Sequence, residues 1–304
     1  MSTVGFVGLG AMGSRIAGRL LASGHQVYGT DRTASKGMAL VQRGLAWCGT
    51  PREVSAAADV TFSMVSDDAA VEAITSGPDG VLAGLAPGKI YVDMSTIGPE
   101  TSRQVAARVR VLGAEMLDAP VSGSVPAAED GTLTIMVGGE EGTFRAVEPL
   151  LRALGRTVTH VGTNGQALLL KLAINASLGA QMLAFSEGVL LAERGGIDRK
   201  LAVDVMTDSA IGSPMLRARA PFVLDLPDDA WFDVRLMRKD LGLALEAARA
   251  LAVPVPAAAT TAELLTWAGE LGYGRRDIAA LFEVLAQTAK SDVTVSNVRA
   301  GDVP

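Results

Sequence analysis

The sequence predicts an α/β chain: a doubly wound, Rossmann-like N-terminal domain, then an all-α C-terminal domain, the two joined by a long helix. Three observations carry this. Short apolar runs at 4–7, 26–29, 60–64 and 90–93 alternate with stretches of helical period, the pattern of strands and crossover helices in an open sheet. The first run leads directly into a glycine-rich turn. From Gly165 to Gly195 the chain then holds one helical pattern about 30 residues long, well beyond the usual globular helix.

Taken in order, the run at 4–7 is the first strand, and a helix over 14–23 follows its glycines. The strand at 26–29 ends near Asp31, and further strands are expected at 60–64, 90–93, 116–120, 133–137 and 158–161. Pairs such as Gly77-Pro78, Pro87-Gly88 and Gly138-Gly139 punctuate them. Abundant alanine, 34 glycines and only 4% aromatic residues suit helices packed closely on a parallel sheet. After the long helix, 200–209, 240–251 and 257–271 read as further helices and no strand is convincing. The expected division is therefore a dinucleotide-binding domain at 1–163, a helical domain at 164–290 for substrate and oligomerisation, and a mobile tail at 291–304.

Composition narrows the function classes. The 304 residues are 49% hydrophobic and 20% charged, enough for a large core and too apolar for disorder. With 27 Lys and Arg against 33 Asp and Glu, the net charge of −6 and the lack of a basic run argue against nucleic acid as a partner. One cysteine, Cys48, excludes a disulfide framework. With only His25 and His160 beside it, no metal-ligand spacing exists, so no metal is expected. The first residues lack a basic leader, no continuous apolar run of about 18 residues stands out, and a reducing cytoplasm is the expected compartment.

Four constellations carry chemistry. The first is Gly8-Leu9-Gly10-Ala11-Met12-Gly13, between a strand and a helix. The first glycine makes the tight turn, the second lets backbone approach a pyrophosphate, and the third lets the helix close onto the strand. Asp31, after the next strand, suits the ribose hydroxyls of NAD, whereas Arg32, Thr33 and Lys36 would welcome the 2'-phosphate of NADP. The carboxylate tilts the expectation toward NAD. The second constellation is Ser122-Gly123-Ser124 after a strand, with hydroxyls and unhindered N–H groups able to hold a carboxylate, although alone it reads as an ordinary turn. Third come Lys171 and Asn175, one turn apart on one face of the long apolar helix. Such a lysine can simply snorkel to solvent, but an ammonium desolvated there suits a proton donor to a ketone or aldehyde oxygen. The fourth, Lys239-Asp240 beside Arg238, reads in isolation as a solvated charge cluster, and the two histidines read as structural.

Together these motifs resemble the β-hydroxyacid dehydrogenase family, which includes 3-hydroxyisobutyrate dehydrogenase, tartronate semialdehyde reductase and glyoxylate/succinic semialdehyde reductases. The similarity runs from about Val4 to Leu285, through GFVGLGAMGSRIAGRLLASGH, DMSTIGPETS, DAPVSGSVPAAEDGTLTIMVGG, the Lys171/Asn175 helix and KDLGLALEAA. The resemblance implies that Lys171 is the general acid/base, that Asn175 orients the substrate, and that Ser122, Gly123 and Ser124 hold its carboxylate. It places Thr96 by the nicotinamide, Met64 and Val65 by the adenosine, Lys239 over the cofactor, and the reaction in a cleft between the domains. Phe232, Ser213 and Asp233 of the helical domain are expected to shape the substrate pocket. Hydride transfer on a small 3-hydroxy acid or the matching aldehyde acid is implied, in a homodimer or homotetramer built through the helical domain. The competing readings are an imine reductase of the same architecture, against which Lys171 weighs, and a non-catalytic dinucleotide-binding scaffold.

Overall fold

A computed structural model describes residues 2–288; the expected tail at 291–304 lies outside them. The first half alternates strands and helices: β1 (Thr3–Val7), α1 (Ala11–Ala22), β2 (Gln26–Thr30), α2 (Met38–Gln42), β3 (Ala46–Trp47), α3 (Pro51–Ala57), β4 (Val60–Ser63), α4 (Asp68–Thr75), α5 (Val81–Gly84), β5 (Ile90–Asp93), α6 (Pro99–Val111) and β6 (Glu115–Asp118). Then come β7 (Val121–Ser122), α7 (Val125–Asp130), β8 (Leu133–Gly138), α8 (Glu141–Arg152) and β9 (Gly155–Gly162). The remainder is helical: α9 (Gln166–Arg194), α10 (Arg199–Asp208), α11 (Pro214–Leu224), α12 (Val234–Ala250), α13 (Pro256–Ala268) and α14 (Leu281–Thr288). The chain divides into two compact units, with the division between Leu172 and Ala173, within α9.

The sheet has the order β3-β2-β1-β4-β5-β6-β8-β7, with β9 on β8. Strands β1 to β6 are parallel neighbours along that path. The expected parallel sheet is corrected at its far edge, where β8 runs antiparallel to β6 and β7, and β9 runs parallel to β8. The 123–132 connection is shorter than the dozen or so residues that a parallel crossover requires, so the chain turns back instead. Neither β3 nor β7 was expected; each is two residues long and shows no periodicity to read.

Helices cover both faces, so the central strands are mostly apolar, with polar residues such as Ser63 and Asp93 at their carboxyl ends. Val4, Phe6, Phe62 and Val92 enter one core with Ile16 and Leu20 of α1. Val7 and Tyr91 enter the other with Val54, Val71, Val105 and Val109. Phe6 and Phe62, register partners on β1 and β4, stack with centroids 6.2 Å apart. In the helical unit the core gathers Met182, Leu183, Phe185 and Val189 of α9 around Met237, Leu241 and Phe282. At 29 residues, α9 is by length and composition able to cross a bilayer, contrary to the reading of the sequence. Part of its apolar surface serves as core, including Leu168, Leu172, Met182, Phe185 and Val189, while Leu170 and Leu191 are exposed, and the helix also carries a buried amide, Asn175.

The entry into α9 is fixed by one buried carboxylate. Asp118, at the end of β6, accepts the Gly165 N–H at 2.9 Å, the Asn164 Nδ2–H at 3.2 Å and the Ser102 hydroxyl at 3.3 Å, all at Oδ1. Burial pushes its carboxyl up to about 6 despite these donors. The folded chain therefore holds this proton to higher pH than the unfolded chain. That contribution is full below about pH 4 and is lost as pH rises toward 6, with an upper bound of about 3 kcal/mol at 1.36 kcal/mol per unit. Asp118→Asn keeps an acceptor and removes the titration. Urea unfolding from pH 4 to 7 is expected to show wild type losing about 2–3 kcal/mol relative to the variant; parallel stability curves would contradict this assignment.

Candidate functional site

The crevice lies where the strand order changes direction, between β1 and β4, at their carboxyl ends. Gly8 ends β1 with φ of +94°, a conformation open to glycine, and a Cβ there would meet the Met64 carbonyl at 2.4 Å and Val65 Cγ1 at 3.0 Å. A Cβ at Gly13 would lie 2.0 Å from the Gly8 carbonyl, so that glycine lets α1 close onto β1. At Gly10 a Cβ would meet nothing within 4 Å. The three glycines thus divide their roles as the spacing predicts: turn, open approach, helix contact.

Ala11 and Met12 begin α1, whose N-terminus has no side-chain cap and no acid in its first turn. Its unpaired N–H groups and the positive end of the helix dipole are available to an anion. The open face at Gly10 leaves room for a pyrophosphate, so the residues present fit a dinucleotide.

Asp31 stands one residue beyond β2. Its Oδ2 accepts the Leu9 N–H at 2.9 Å and its Oδ1 the Thr33 N–H at 2.8 Å, while Lys36 Nζ lies 3.8 Å from Oδ1. One carboxylate therefore braces the glycine turn against the segment carrying Arg32 and Thr33, both exposed. Met64 and Val65 follow β4 and are half-buried, as is Thr96 after β5. The Val65 N–H donates to Ser95 Oγ at 2.9 Å, which ties the loop after β4 to the one bearing Thr96.

Ser122 closes β7 opposite Thr134, and Gly123, at φ +124°, turns the chain into α7. Ser124 is the N-cap of α7, but its side chain makes no cap bond. Two arginines of α1 grip this segment: Arg15 Nε pairs with Glu129 at 2.8 Å, and Arg19 donates to the Glu129 carbonyl at 3.0 Å and the Ala153 carbonyl at 3.0 Å. The glycine turn and the Ser-Gly-Ser turn are thus held together through α1 and α7.

Lys171 is half-buried in the second turn of α9. Asn175 follows one turn later and is 1% exposed. Its Nδ2 donates to Asp240 Oδ2 at 2.6 Å, the sense that an acceptor-only carboxylate requires. Lys239 Nζ pairs with the other oxygen of Asp240 at 2.8 Å. Asp240, read from the sequence as one of a solvated cluster, is instead 2% exposed. Helical period carried the signal: Met237, Leu241, Ala244 and Ala248 are the buried face of α12, and Asp240 lies on it. The backbone at Phe232 is held by a second buried acid, Asp277. The Phe232 N–H and that of Trp231 donate to Asp277 Oδ2 at 3.2 and 3.1 Å, and the Arg219 guanidinium pairs with buried Asp277 at 3.3 Å. No spacing in the sequence linked Asp277 to Phe232.

Comparison with known proteins accords with this geometry. Residues 3–162 match the NAD-binding domain of 6-phosphogluconate dehydrogenase, and residues 165–285 match the NAD-binding domain of NADP-dependent 3-hydroxyisobutyrate dehydrogenase. The chain is 36% identical to 2-hydroxy-3-oxopropionate reductase of Escherichia coli, over 93% of this chain and 96% of that one. Among solved structures, 3-hydroxyisobutyrate dehydrogenase of Salmonella typhimurium superposes with a TM-score of 0.86 at 32% identity, covering 93% of this chain and all of that one. Psf3, solved with NADP+ and 2-OPP, also gives 0.86 at 30% identity, covering 93% and 99%. With a dinucleotide crevice in its sheet and both halves matched along nearly their whole length, the chain belongs to the β-hydroxyacid dehydrogenase family of NAD(P)-dependent oxidoreductases.

Proposed function

We propose that this oxidoreductase interconverts a small 3-hydroxy acid and the matching aldehyde acid, with Lys171 as the general acid/base. The observation that carries the reading is the polar turn of α9. In the 167–180 stretch of α9, otherwise built of apolar and small residues, Lys171 stands one turn before an amide locked by a buried carboxylate. When bound, the nicotinamide supplies or accepts the hydride. Lys171 gives a proton from Nζ to the carbonyl oxygen in reduction and takes the hydroxyl proton in oxidation. Asn175, its amide nitrogen bound to Asp240, orients the substrate beside Lys171. Asp240 keeps the amide from rotating, and Lys239 balances its charge. Ser122, Gly123 and Ser124 hold the substrate carboxylate with hydroxyls and N–H groups, which fixes the reacting carbon. Phe232 supplies an apolar wall for the rest of the substrate.

For the cofactor, the reading is use of both dinucleotides with preference for NAD. The Asp31 charge is held in place by two backbone N–H groups at the end of β2, where the adenosine ribose is recognised, and it opposes a 2'-phosphate. Arg32, Thr33 and Lys36 keep NADP usable.

Loss of reduced-nicotinamide absorbance, followed with NADH and NADPH across glyoxylate and the succinic, methylmalonic and tartronic semialdehydes, tests the reaction. Lys171→Ala is expected to lower turnover of the accepted aldehyde acid by about 10²- to 10⁴-fold while cofactor affinity stays close to wild type; near-full turnover would remove Lys171 from the role. In the same assay Asp31→Ser is expected to weaken both cofactors through loss of the Leu9 brace, yet to raise the NADPH-to-NADH ratio of kcat/KM roughly tenfold, on the order of 1.4 kcal/mol. An unchanged ratio would show that Asp31 does not discriminate.

A further inference from the structure

The carboxyl ends of β4 and β5 are joined by hydrogen bonds that no step of the proposed chemistry uses. Ser63 and Asp93 are register partners at the last positions of these strands. Asp93 is 1% exposed, and its Oδ1 accepts from Ser63 Oγ at 2.7 Å, Ser95 Oγ at 2.7 Å and Ser95 N–H at 3.3 Å. Ser63 Oγ also meets the Tyr91 hydroxyl at 2.7 Å. Having donated to Asp93, Ser95 Oγ accepts the Val65 N–H. That N–H has left the ladder, because β4 ends at Ser63, and needs an acceptor from elsewhere. A second carboxylate works the other end of the turn. Asp68, in the first turn of α4, accepts the Gly98 N–H at 3.0 Å and the Thr101 hydroxyl.

The two acids thus bracket Thr96, with Ser95 held by Asp93 on one side and Gly98 held by Asp68 on the other. The same Ser95 hydroxyl holds Val65, whose side chain packs near Gly8. We propose that Asp93, Ser95 and Asp68 are positioning residues for the dinucleotide, setting the backbone at Val65 and Thr96 in one arrangement against the glycine turn. This rests on reading the β1/β4 crevice as the cofactor site.

Strand packing alone does not call for this device. Asp93 stands between its register partners Ser63 of β4 and Asp118 of β6, and its second oxygen, Oδ2, is buried without a hydrogen-bond partner among the described residues. Leaving such an oxygen unpaired is unfavourable. Its return is local: it orients the one hydroxyl able to meet both Asp93 and the Val65 N–H. Such a link acts on ligand geometry, since sub-ångström precision at the cofactor needs side chains locked from behind.

Ser95→Ala cuts the link without adding bulk, and Ser95→Thr retains the hydroxyl. Titration of NADH and NADPH, followed by nicotinamide fluorescence, is expected to show Kd about five- to tenfold higher for Ser95→Ala and within about twofold of wild type for Ser95→Thr. With cofactor saturating, the substrate KM is expected within twofold of wild type and the far-ultraviolet circular dichroism unchanged, which separates positioning from general loss of structure. Asp68→Ala against Asp68→Asn repeats the comparison at the half-buried acid, with affinity lost in the first and kept in the second. Unchanged Kd in both alanine variants, or no recovery with Thr and Asn, overturns the proposal alone. Wild-type protein that bound neither dinucleotide would overturn the reading of the crevice and this proposal with it.

Discussion

The nucleotide-binding unit depends on one close approach, that of Gly8 to the Met64 carbonyl. There the first strand leaves the sheet while its neighbour β4 is also ending, and the two loops occupy the same few ångströms. Any side chain at Gly8 would push them apart and close the space above Gly10. Because α1 starts within this turn, displacing the loop would also displace the helix N-terminus that faces the anion. Burial on both faces of the sheet leaves no slack to absorb such a shift.

Parallel strands buried on both faces end in loops whose N–H groups have lost their ladder partners. In this chain buried or half-buried aspartates take them. Asp31 holds Leu9 and Thr33, Asp93 holds Ser95, Asp68 holds Gly98, and Asp118 holds Gly165. The helical unit repeats the device with Asp277, which holds Trp231, Phe232 and Ala279. A carboxylate offers several lone pairs and no donor, so one residue can gather N–H groups from separate segments. Burial opposes the charge, and at Asp93 and Asp118 it pushes the carboxyl above its ordinary range. These acids therefore trade some stability for fixed loops, and the fixed loops carry the candidate cofactor residues.

Much of this was legible in the sequence. The glycine spacing, the seven longer strands and the long helix show as period and punctuation, because each is local in the chain. Asp240 reads in isolation as part of a solvated cluster, although its register with Met237, Leu241 and Ala244 puts it on their buried face. The Asp93–Ser95–Val65 and Asp277–Phe232 links were not legible, because they join residues 28 to 45 positions apart through hydrogen bonds that leave no periodic trace. Nor could the sequence show that β8 turns back. That follows from the length of a connection whose neighbouring strand, β7, is only two residues long.

The polar turn of α9 shows how a long apolar helix can bear chemistry. An apolar helix face by itself does not fix the direction of a lysine head, since the long stem can carry it toward solvent. The Asn175 amide cannot do likewise, because its nitrogen is bound to an acid buried on α12, and that acid is paired in turn with Lys239. Replacing Asp240 by leucine would fill the volume, yet it would leave a buried amide donor unpaired and Lys239 without its counter-charge. The cost of an unmet buried donor, about 1–3 kcal/mol, would fall on the turn that carries Asn175. A polar pair that is dispensable for packing therefore keeps its place on the interior face of two helices because it fixes the direction of one amide.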